Sequence, residues 1–341
     1  MQIPQEKKTD SEIKTLFVFN PEHDLALAVG SGPYTPPAEI LKLKRKMSLL
    51  PAVFAANGDF IFSYSPISEI ELEASPYYPL FKEKNLKLLT KESLISHLDT
   101  INKIKPWGWD HAVVRDLKEC GIANQLLPSE SQLNCIRNLS HRRTTIPFRK
   151  TLSEILNEEI INPAKELFSL EEVKDFLNLN PVSFFKSPWS SSGRGIVLST
   201  HIALKGLLEW AHGTIKKQGS VIAEPAWERV MDFATEWEII EKEPVFKGYS
   251  IFKTSSRGKY HGNVCYPQTE LLNLIRKASP KFSLEIIEAQ KIALETHISP
   301  YYEGPLGIDM LADKNGNINN CVELNLRYTM GHIFLYGNSK K

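Results

Sequence analysis

The sequence predicts a protein of the α/β (α+β) class, in which a small alternating α/β region precedes a larger α+β region. Short apolar runs alternate with helical patterns up to about Cys135, which is typical of a small α/β domain. Helical patterns then dominate up to Lys165, and short β-branched runs predominate from about residue 181. The 341 residues are enough for about two to three domains.

The first region opens on a strand and a helix. Thr15–Phe19 (TLFVF) is apolar and β-rich, which predicts a buried strand. Because Asn suits a helix N-cap and Pro suits the first helical position, Asn20-Pro21 predicts a helix that ends at Gly30. Two short strands around a hairpin-type turn at Asn57-Gly58 are also predicted, at Val53–Ala56 and Phe60–Ser63.

The second region starts with helices between Ser131 and Lys165. Ser169 and Glu172 have the spacing of a capping box, which predicts a helix from there to about Asn178–Pro181. Another helix is predicted at Ser283–Thr296. The predicted strands are Val182–Lys186, Gly195–Thr200, Val221–Glu224, Glu236–Ile240, Tyr249–Lys253, Tyr260–Val264, Leu306–Leu311 and Ile318–Leu326.

Composition excludes several classes of function. Lys and Arg number 41 and Asp and Glu number 40, so the near-neutral charge gives no reason to expect nucleic acid or an anionic membrane as a partner. No apolar run approaches the roughly 20 residues of a membrane helix. The polar N-terminus lacks a secretion signal, and the cysteines form no CxxC pair, so we expect a cytoplasmic protein without a zinc site or disulfides. These cysteines are Cys120, Cys135, Cys265 and Cys321.

The first chemical signal is the segment FFKSPWSSSGRGIVLST. A predicted strand ends at Lys186, and the small residues of Ser190–Gly195 follow before a second strand. Small residues let backbone N–H groups approach an anion, and a lysine beside them supplies a point charge for phosphate. The segment lacks the GxxxxGK[ST] pattern of a P-loop. The alternative interpretation is a flexible hairpin tip.

The second signal is the segment GIDMLADKNGNINNCVELNLR. Glu323, Asn325 and Arg327 alternate with aliphatic residues, so the three polar side chains share one face of a strand. Such a set can hold Mg²⁺ with oxygen ligands and leave a cation for phosphate or an acyl oxyanion. Asp309 joins that face, opposite Glu323, if Asn315–Asn317 is a three-residue loop or if a bulge restores the register. A two-residue turn would turn Asp309 away, and an exposed polar face is the alternative interpretation.

In their order and spacing, these features resemble the ATP-grasp family. The features are Lys186 with its small-residue loop, Asp309, and the E-x-N-x-R strand at Glu323–Arg327. The resemblance covers roughly residues 136–333 and implies an ATP-grasp fold of two α+β subdomains preceded by a small α/β pre-ATP-grasp domain. The implied divisions are 1–135 for the pre-ATP-grasp domain, 136–215 for the small subdomain with the phosphate loop, and 216–341 for the large subdomain with the adenine hinge and metal site.

The resemblance also implies an ATP site. The phosphates would meet Lys186 and the loop residues, and the adenine would meet the backbone of the hinge after a strand. Either Arg142 or Arg143, in LSHRRTTIP, would replace the family's second phosphate lysine. Glu236 would bind the ribose, with Glu228 and Asp232 as rivals. The remaining implied ATP ligands are Ser191, Ser192 and Gly193 in the loop and Glu224, Pro225 and Trp227 in the hinge.

The resemblance further implies a reaction. One or two Mg²⁺ ions, with Mn²⁺ as an alternative, would bind Asp309, Glu323 and Asn325, and Lys186 and Arg327 would act in catalysis. The expected enzyme is an ATP-dependent ligase that activates a small carboxylate as an acyl phosphate and joins it to an amine or thiol. A small-molecule kinase and a non-catalytic nucleotide-binding protein are the rival interpretations.

Candidate substrate residues lie in two places. The segment after the first strand follows the carboxyl end of that strand, where open α/β sheets tend to bind ligands. Its residues could equally serve the helix, Asn20 as a cap and the acids through the helix dipole. Near the γ-phosphate, the resemblance points to Tyr260 and His261. The candidates in the first place are Asn20, Glu22, His23 and Asp24.

Overall fold

The computed structural model describes residues 14–190, 193, 195–255 and 260–337, together with the backbone of Asn338. Contacts divide the chain into two compact units, Met1–Leu133 and Asn134–Lys341. Mixed parallel and antiparallel sheets confirm the predicted α/β (α+β) class. None of the helices in the described ranges has both the length and the apolar character that a membrane span requires.

A parallel sheet forms the centre of the first unit, with strand order β3-β2-β1-β4. Its strands are β1 (Lys14–Val18), β2 (Phe60–Phe62), β3 (Lys87–Leu89) and β4 (Ile101–Pro106). The helices of this unit are α1 (His23–Val29), α2 (Ala38–Lys46), α3 (Glu69–Glu73), α4 (Tyr78–Glu83), α5 (Lys91–Leu94) and α6 (His111–Glu119), with 3₁₀ turns at Leu50–Val53, Ile95–Thr100 and Asn124–Leu126.

Both faces of this sheet are covered, as parallel sheets require. Leu16 and Val18 pack on one face with Leu117 of α6, and Phe17 packs on the other face with Leu49. The alternation along β1 therefore divides one apolar run between two core clusters. The strand order places β2 and β4 on opposite sides of β1, so the carboxyl ends of β1 and β4 meet at the point where the winding of the sheet reverses.

The hairpin predicted at Asn57-Gly58 is wrong. Val53 belongs to the 3₁₀ turn Leu50–Val53, and β2 pairs in parallel with β1 rather than with a preceding strand. The Asp59 carboxylate explains the local geometry, because it accepts hydrogen bonds from Ala56 N at 2.8 Å and from Thr15 N at 2.9 Å. These two bonds attach the turn to β1 and leave β2 to run alongside it.

The helix predicted from Pro21 starts two residues later. Its N-cap position is Glu22, and α1 ends before Gly30 as predicted. Asn20 does not cap the helix, because its side-chain amide donates to Gly108 O at 2.8 Å instead.

Two antiparallel sheets form the second unit. The smaller has the order β5-β8-β6-β7, and the larger has the order β11-β10-β9-β12-β13. The smaller sheet contains β5 (Lys165–Leu167), β6 (Ser183–Lys186), β7 (Ile196–Leu198) and β8 (Val221–Pro225), and the larger contains β9 (Arg229–Ile240), β10 (Glu243–Thr254), β11 (Tyr260–Asn263), β12 (Gly304–Asp313) and β13 (Ile318–Asn325).

Helices pack against both sheets. Leu167, Phe185 and Val221 of the smaller sheet share a core with Val173 of α9 and Leu207 of α10. Along the larger sheet, α8 contacts β13, and α12 contacts α8 and β10. The boundary between the units falls within α7 (Glu130–Leu139). The helices that follow are α8 (Thr145–Leu156), α9 (Leu170–Leu179), α10 (Leu204–Gln218), α11 (Gln268–Ala278), α12 (Leu284–His297) and α13 (Met330–Asn338), with 3₁₀ turns at Arg142–Thr144 and Ser199–His201.

Most of the elements predicted for this region are present. Ser169 caps α9, with its hydroxyl accepting from Glu172 N at 3.2 Å, and the predicted helix at Ser283–Thr296 is α12. Each predicted strand corresponds to one of β6 to β13, although β9 begins at Arg229, seven residues before the predicted start. The helices α10, α11 and α13 were not predicted.

Candidate functional site

One face of the larger sheet collects the polar side chains of the second signal. Asp309 pairs with Ala234 on one side and with Glu323 on the other. Gly307, two residues earlier on the same face of β12, pairs with Glu236 and with Asn325. Since residues two apart on a strand share a face, Asp309, Glu323, Asn325 and Glu236 all lie on one side of the sheet.

The turn between β12 and β13 starts one residue earlier than predicted. Asp313 N donates to Asn317 O at 3.0 Å, so residues 314–316 form the connection instead of Asn315–Asn317. That turn alone would have paired Asp309 with residue 321, because 313 + 317 equals 309 + 321. The predicted partner, Glu323, is reached only through a further irregularity in the strand pair.

A bulge in β13 supplies that irregularity. Leu311 pairs with Asn319, and Asp309, two residues before Leu311, pairs with Glu323, four residues after Asn319. The two extra residues of β13 bring Glu323 opposite Asp309. The predicted pairing of Asp309 with Glu323 is therefore confirmed, through a three-residue turn combined with a bulge.

Gln290 of α12 forms a hydrogen bond with the bulge. This side chain is fully buried, and its amide nitrogen donates to Asn320 O at 3.0 Å. Its amide oxygen accepts from the Thr235 hydroxyl at 2.9 Å. The extra residues of β13 are thus hydrogen-bonded to a helix and to a neighbouring strand. No pattern in the sequence pointed to Gln290.

A cavity of about 120 Å³ opens beside this face. Its walls combine ends of both sheets of the second unit, and they carry acids, cations and a set of apolar side chains. The acids are Glu224, Asp232, Asp309 and Glu323, the cations are Lys186 and Arg229, and the apolar residues are Phe184, Ile196, Trp227, Phe252, Met310, Leu311 and Val322. Two chemically different signals of the sequence, Lys186 and the acidic hairpin, therefore reach one cavity.

The two paired carboxylates repel each other in this setting. Burial raises the pKa of Asp309 to about 8, the nearby Glu323 and Glu236 carboxylates add to the rise, and Arg327 opposes it. A carboxyl group in such surroundings favours a proton or a cation. The arrangement therefore suits a positive ion between Asp309 and Glu323.

The donor set fits magnesium bound together with a phosphate ligand. Among the described residues, no group of three or more His, Cys, Asp and Glu side chains is arranged to hold a metal ion. Mg²⁺ in nucleotide sites takes one or two carboxylates and completes its shell with phosphate oxygens and water. Asp309 and Glu323 with the Asn325 amide meet that requirement, since all three offer hard oxygen atoms.

Asn325 and Arg327 are connected to Asp309. Arg327 donates from Nη2 to Asn325 Oδ1 at 3.0 Å, and the Asn325 side chain hydrogen-bonds to the Asp309 carboxyl group. Asn325 is buried, and Arg327 is half-buried. The three polar residues form one chain of contacts along the sheet face, with the guanidinium at its end.

Lys186 forms a buried ion pair with Glu224 at the wall of the cavity. Lys186 closes β6, Glu224 lies on the neighbouring β8, and both side chains are more than nine-tenths buried. A buried ammonium requires such a partner. Both residues were predicted for the ATP site, Lys186 by its side chain and Glu224 by its backbone.

Arg142 lies in the site, and Arg143 does not. The buried guanidinium of Arg142 donates to Ser187 O at 2.5 Å, to the Ser190 hydroxyl at 2.7 Å and to Glu323 Oε1 at 2.7 Å. The Arg143 side chain is 48% exposed, and its nearest acid is Glu166 at 3.8 Å. The 3₁₀ turn Arg142–Thr144 turns the two neighbouring arginines to different sides.

The predicted phosphate loop is described in part. Ser191, Ser192 and Arg194 lie outside the described residues, whereas Gly193 and Gly195 lie within them. Ser187 N donates to Gly195 O at 2.8 Å, which joins the two ends of the loop. A Cβ atom on Gly195 would stand 2.8 Å from the Ser187 hydroxyl, so this position requires glycine.

His141 and Trp189 attach the loop to the helices before it. Trp189 is buried, its indole N–H donates to Arg137 O at 2.9 Å, and its ring meets the His141 ring edge-on at 4.6 Å. Burial lowers the pKa of His141 to about 3, and nearby arginines lower it further, so the imidazole is neutral. A neutral ring can accept the 3.0 Å hydrogen bond from Arg143 N.

Glu236, the residue predicted to bind ribose, has interior partners. It is 1% exposed, and its oxygens accept from the Ser250 hydroxyl at 2.8 Å and from the Thr329 hydroxyl at 2.8 Å. His332 Nδ1 lies 3.1 Å from the same carboxylate, and Glu236 does not line the cavity. A Cβ atom on Gly331 would stand 1.8 Å from Glu236 Oε1, so the backbone itself covers this carboxylate.

Asp232, one of the two rivals of Glu236, does line the cavity. Its carboxylate accepts from the Thr254 hydroxyl and pairs with Arg229 at 3.4 Å. Burial raises its pKa, while the contacts with Thr254 and Arg229 lower it. Glu228, the other rival, is exposed and pairs with Lys314 at 2.5 Å.

The predicted adenine hinge follows β8 directly. Ala226 N donates to Val182 O at 2.9 Å, so the segment after Pro225 still lies against the start of β6. Trp227 lines the cavity, and its indole N–H has no hydrogen-bond partner among the described residues. Phe184 and Met310 also line the cavity and add apolar surface to the walls.

Tyr260 and His261, the candidates near the γ-phosphate, are not part of the cavity wall. Tyr260 pairs with Thr254 across β10 and β11, and its hydroxyl donates to Asn263 Oδ1. His261 is exposed on β11. The structure thus brings neither side chain to the cavity that Asp309 and Glu323 line.

In the first unit, the substrate candidates gather at the carboxyl ends of β1 and β4. The Asn20 amide donates to Asp110 Oδ2 at 3.0 Å, and His23 Nδ1 lies 3.2 Å from the same oxygen. A Cβ atom on Gly108 would stand 2.7 Å from the His23 ring, which explains the glycine in PWGW. Asn20 and His23 are buried, and Asp24 is half-buried on α1.

Glu22 belongs to the same cluster. Lys44 of α2 donates to Glu22 Oε1 at 2.5 Å and stands 3.2 Å above the Tyr64 ring. His23 Nε2 and Glu22 Oε2 have no hydrogen-bond partner among the described residues. Three of the four sequence candidates therefore meet at one place, and Asp110 and Lys44 were missed because their partners are distant in sequence.

No protein-family model matches the chain, and no curated protein matches its sequence. Solved structures do match it. The biotin carboxylase of Campylobacter jejuni, as its β-γ-ATP complex, aligns at a TM-score of 0.56 and 14% identity over 96% of this chain and 68% of that chain.

Two further solved structures give similar values. The biotin carboxylase domain of the Hydrogenobacter thermophilus 2-oxoglutarate carboxylase, with MgADP, ADP and bicarbonate, has a TM-score of 0.55 and 13% identity over 95% of this chain and 68% of that chain. The N5-carboxyaminoimidazole synthetase of Staphylococcus aureus, with ADP, has a TM-score of 0.52 and 13% identity over 93% and 71%. This chain has the ATP-grasp fold, and the small α/β unit ahead of it fits a pre-ATP-grasp domain.

Proposed function

We propose that this chain is an ATP- and Mg²⁺-dependent ligase that activates a small carboxylate and joins it to an amine or a thiol. The observation that supports the proposal most is the pairing of Asp309 with Glu323 on the wall of a cavity that Lys186 also lines. Two facing carboxylates favour a shared proton or a cation, and a neighbouring lysine suits an anion. Magnesium bound with a triphosphate meets both requirements at once.

In this proposal, the nucleotide lies in the cavity between the two sheets. The base packs against Phe184 and Met310 and meets the backbone of the hinge Glu224–Trp227. Asp232 holds the ribose hydroxyls, since it lines the cavity and Glu236 does not. The expected divisions remain residues 136–215 for the small subdomain and 216–341 for the large one.

The phosphates are held by Lys186, Arg142 and the loop that contains Ser191, Ser192 and Gly193. Arg142 supports this role because its guanidinium already contacts both ends of the segment Ser187–Ser190. A guanidinium suits phosphate because its planar N–H groups match two oxygens. Of the two arginines that the sequence offers as the second phosphate cation, we therefore assign the role to Arg142.

Asp309, Glu323 and Asn325 would hold one or two Mg²⁺ ions, and Mn²⁺ also suits these oxygen donors. Bound there, the cation would neutralise charge on the transferred phosphate. Arg327 stabilises the charge that develops on the reacting groups, as the cation at the end of the Asn325 contact. The substrate carboxylate attacks the γ-phosphorus, ADP leaves, and an amine or thiol then displaces phosphate from the acyl carbon.

The proposal also includes the substrate residues that the sequence predicts. Asn20, Glu22, His23 and Asp24 in the first unit, and Tyr260 and His261 on β11, stay predictions as substrate residues. A cytoplasmic location, with ATP and a small carboxylate as partners and no nucleic acid, is also part of the proposal.

A screen for ADP release tests the proposed function. Purified protein with Mg²⁺-ATP is offered pooled small acids, with and without pooled amines and thiols, and products are identified by mass spectrometry. A ligase releases ADP only with both classes of substrate and forms an amide or thioester. A phosphoester formed without a second nucleophile identifies a kinase instead, and nucleotide binding without ADP release in any pool contradicts an enzymatic role. Asp309→Ala is the matched inactive control.

A further inference from the structure

A second cavity, of about 290 Å³, lies in the second unit and shares no lining residue with the candidate site. It is enclosed by α8, by the segment 158–161, by the start of α12 and by the tip of the β12–β13 hairpin. Its volume is at the lower end of the range of small-molecule pockets. Nothing in the proposed ATP chemistry uses this cavity.

The wall of this cavity contains a buried charge that has no counter-ion within 4.0 Å among the described residues. Arg149 of α8 is 7% exposed. In the part of the chain that the structure describes, its guanidinium donates only to Ile161 O at 2.8 Å and to Asn162 O at 3.3 Å. Within the described ranges, no Asp or Glu oxygen lies within 4.0 Å of it. Two of the five N–H donors of an arginine are thus in use. Burial lowers its pKa, as expected for a cation whose charge is poorly compensated.

A buried guanidinium of this kind is rare because buried charges are normally paired. Its two carbonyl partners satisfy hydrogen bonds but do not neutralise the charge. The nearest acid that acts on it is Glu224, which is already paired with Lys186. The free donors of Arg149 therefore suit the carboxylate of a ligand in the cavity.

A second polar group of the wall lacks a partner. Asn320 Oδ1, in the bulge of β13, is buried and has no hydrogen-bond partner among the described residues. An amide oxygen in this state suits an N–H donor. The exposed acids Glu158 and Glu159 lie on the rim of the same cavity and favour a positive group there.

Three further polar residues line the cavity, namely Ser153, Asn317 and the exposed Lys281, which donates to Asn317 Oδ1 at 2.7 Å. The remaining wall is aliphatic. Leu152 and Ile286 are buried, and Ile160, Ile161 and Ile318 complete this surface. The cavity thus offers one buried cation, one buried acceptor without a partner among the described residues, and an apolar surface. These three features correspond to the carboxylate, the ammonium and the side chain of an aliphatic amino acid.

We propose that this cavity binds a free α-amino acid with an aliphatic side chain. The ligand carboxylate pairs with Arg149, its ammonium group donates to Asn320 Oδ1, and its side chain packs against Leu152 and Ile286. This site is separate from the ATP site, so it can be tested without nucleotide.

Isothermal calorimetry on the full chain, without ATP, tests the proposal with three probes of one shape. L-leucine carries both charged groups, leucinamide lacks the carboxylate, and isocaproate lacks the amino group. We expect L-leucine to bind, and each of the other two to bind at least about ten-fold more weakly, the scale of one charge-assisted hydrogen bond. Absence of L-leucine binding, or equal binding of all three probes, overturns the proposal.

Two variants and a control assign the site. Arg149→Met should weaken L-leucine binding about ten-fold or more, whereas Lys150→Met, an exposed cation on the same helix, should leave it unchanged. Arg149→Met also removes two bonds to the segment 158–162, so its folding is checked by thermal unfolding. Asn320→Leu removes an acceptor that has no partner among the described residues, so it should keep the fold, yet weaken the binding of L-leucine more than that of isocaproate. Unchanged binding in a folded Asn320→Leu protein contradicts the assignment.

Discussion

Arg142 Nη2 donates to Glu323 Oε1 at 2.7 Å, which joins the 3₁₀ turn Arg142–Thr144 to the acidic hairpin. The same guanidinium holds Ser187 O and both the hydroxyl and the carbonyl of Ser190. Residues 181 positions apart are thus connected through one side chain. If Glu323 takes a Mg²⁺ ion and Arg142 takes phosphate, this ion pair is exchanged for two contacts with the ligand.

The two neighbouring arginines give a direct test of that exchange. We expect Arg142→Ala to weaken Mg²⁺-ATP binding by about 1–3 kcal/mol, the usual scale for a lost charge-assisted contact. Arg143→Ala is the matched control and should change the binding by less than about 0.5 kcal/mol, because Arg143 is 48% exposed. Calorimetry at fixed Mg²⁺ measures both, and a larger effect at Arg143 would reverse the assignment.

Lys186 and Glu224 should be coupled in stability but not in nucleotide binding. Lys186→Met leaves a buried carboxylate without its partner, so we expect a loss of about 3–5 kcal/mol in the free energy of unfolding. The double variant Lys186→Met/Glu224→Gln removes both charges and should recover most of that stability. ATP binding should stay weak in both proteins, because the phosphate cation is absent from each.

Chemical denaturation gives the stabilities, and calorimetry gives the ATP affinity. Full recovery of ATP binding in the double variant would show that Lys186 serves the fold rather than the phosphate.

Local patterns predicted the parts of the site that depend on one segment. Strand alternation was enough to place Glu323 and Asn325 on one face, because the period of a strand is a property of its own backbone. The choice between Arg142 and Arg143 was beyond such a pattern, since the 3₁₀ turn orients them through contacts with Ser187 and Ser190.

The pairing of Asp309 with Glu323 was predicted, but the turn and the bulge that produce it differ partly from the prediction. The connection is odd in length, but it starts at residue 314, and a bulge then shifts the register by two residues. That bulge is held by Gln290, thirty residues before Asn320 in the chain. A contact between a helix and a distant strand leaves no periodic mark in the sequence, which is why the bulge was an alternative and not a prediction.

Loss of charge at Asp232 should weaken nucleotide binding, whereas loss of charge at Glu236 should lower the stability of the fold. Asp232→Asn is expected to weaken ATP binding by about 1–2 kcal/mol with a small effect on stability, as for a lost hydrogen bond to a charged group. Glu236→Gln should instead lower the free energy of unfolding by a similar amount, because its partners Ser250 and Thr329 are interior. Nucleotide affinity measured on the folded fraction should be unchanged in Glu236→Gln.

Gly331→Ala checks the same environment without changing a charge. The added Cβ atom would stand 1.8 Å from Glu236 Oε1, so we expect overpacking to cost about 3 kcal/mol. Gly337→Ala, where an added Cβ meets nothing within 4 Å, is the matched control. Thermal unfolding measures both variants, and we expect a lower melting temperature for Gly331→Ala only. A wild-type melting temperature for Gly331→Ala would mean that the backbone does not enclose Glu236.

Asp309 should make the ligand-free protein less stable as the pH rises. Burial and the neighbouring Glu323 raise its pKa to about 8, against about 3.9 for an unfolded aspartate. Between these values the folded chain holds a proton that the unfolded chain releases. The contribution of protonated Asp309 to the free energy of unfolding is therefore complete below about pH 4 and is lost as the pH rises through about 8. The free energy of unfolding falls by at most about 1.4 kcal/mol per pH unit in this range.

Asp309→Asn cannot ionise, so its free energy of unfolding should lack this slope and exceed that of the wild type at pH 8. Asp313 on the same hairpin provides a contrast of opposite sign, since hydrogen bonds from Asn317 and Asn315 outweigh burial and lower its pKa. Asp313→Asn should therefore lose stability near neutral pH. Urea unfolding at several pH values measures all three proteins.

Adding Mg²⁺ and ATP at pH 8 should stabilise the wild type, because a cation between Asp309 and Glu323 replaces the proton. The same addition should stabilise Asp309→Asn less. Equal stabilisation of the two proteins would place the cation elsewhere.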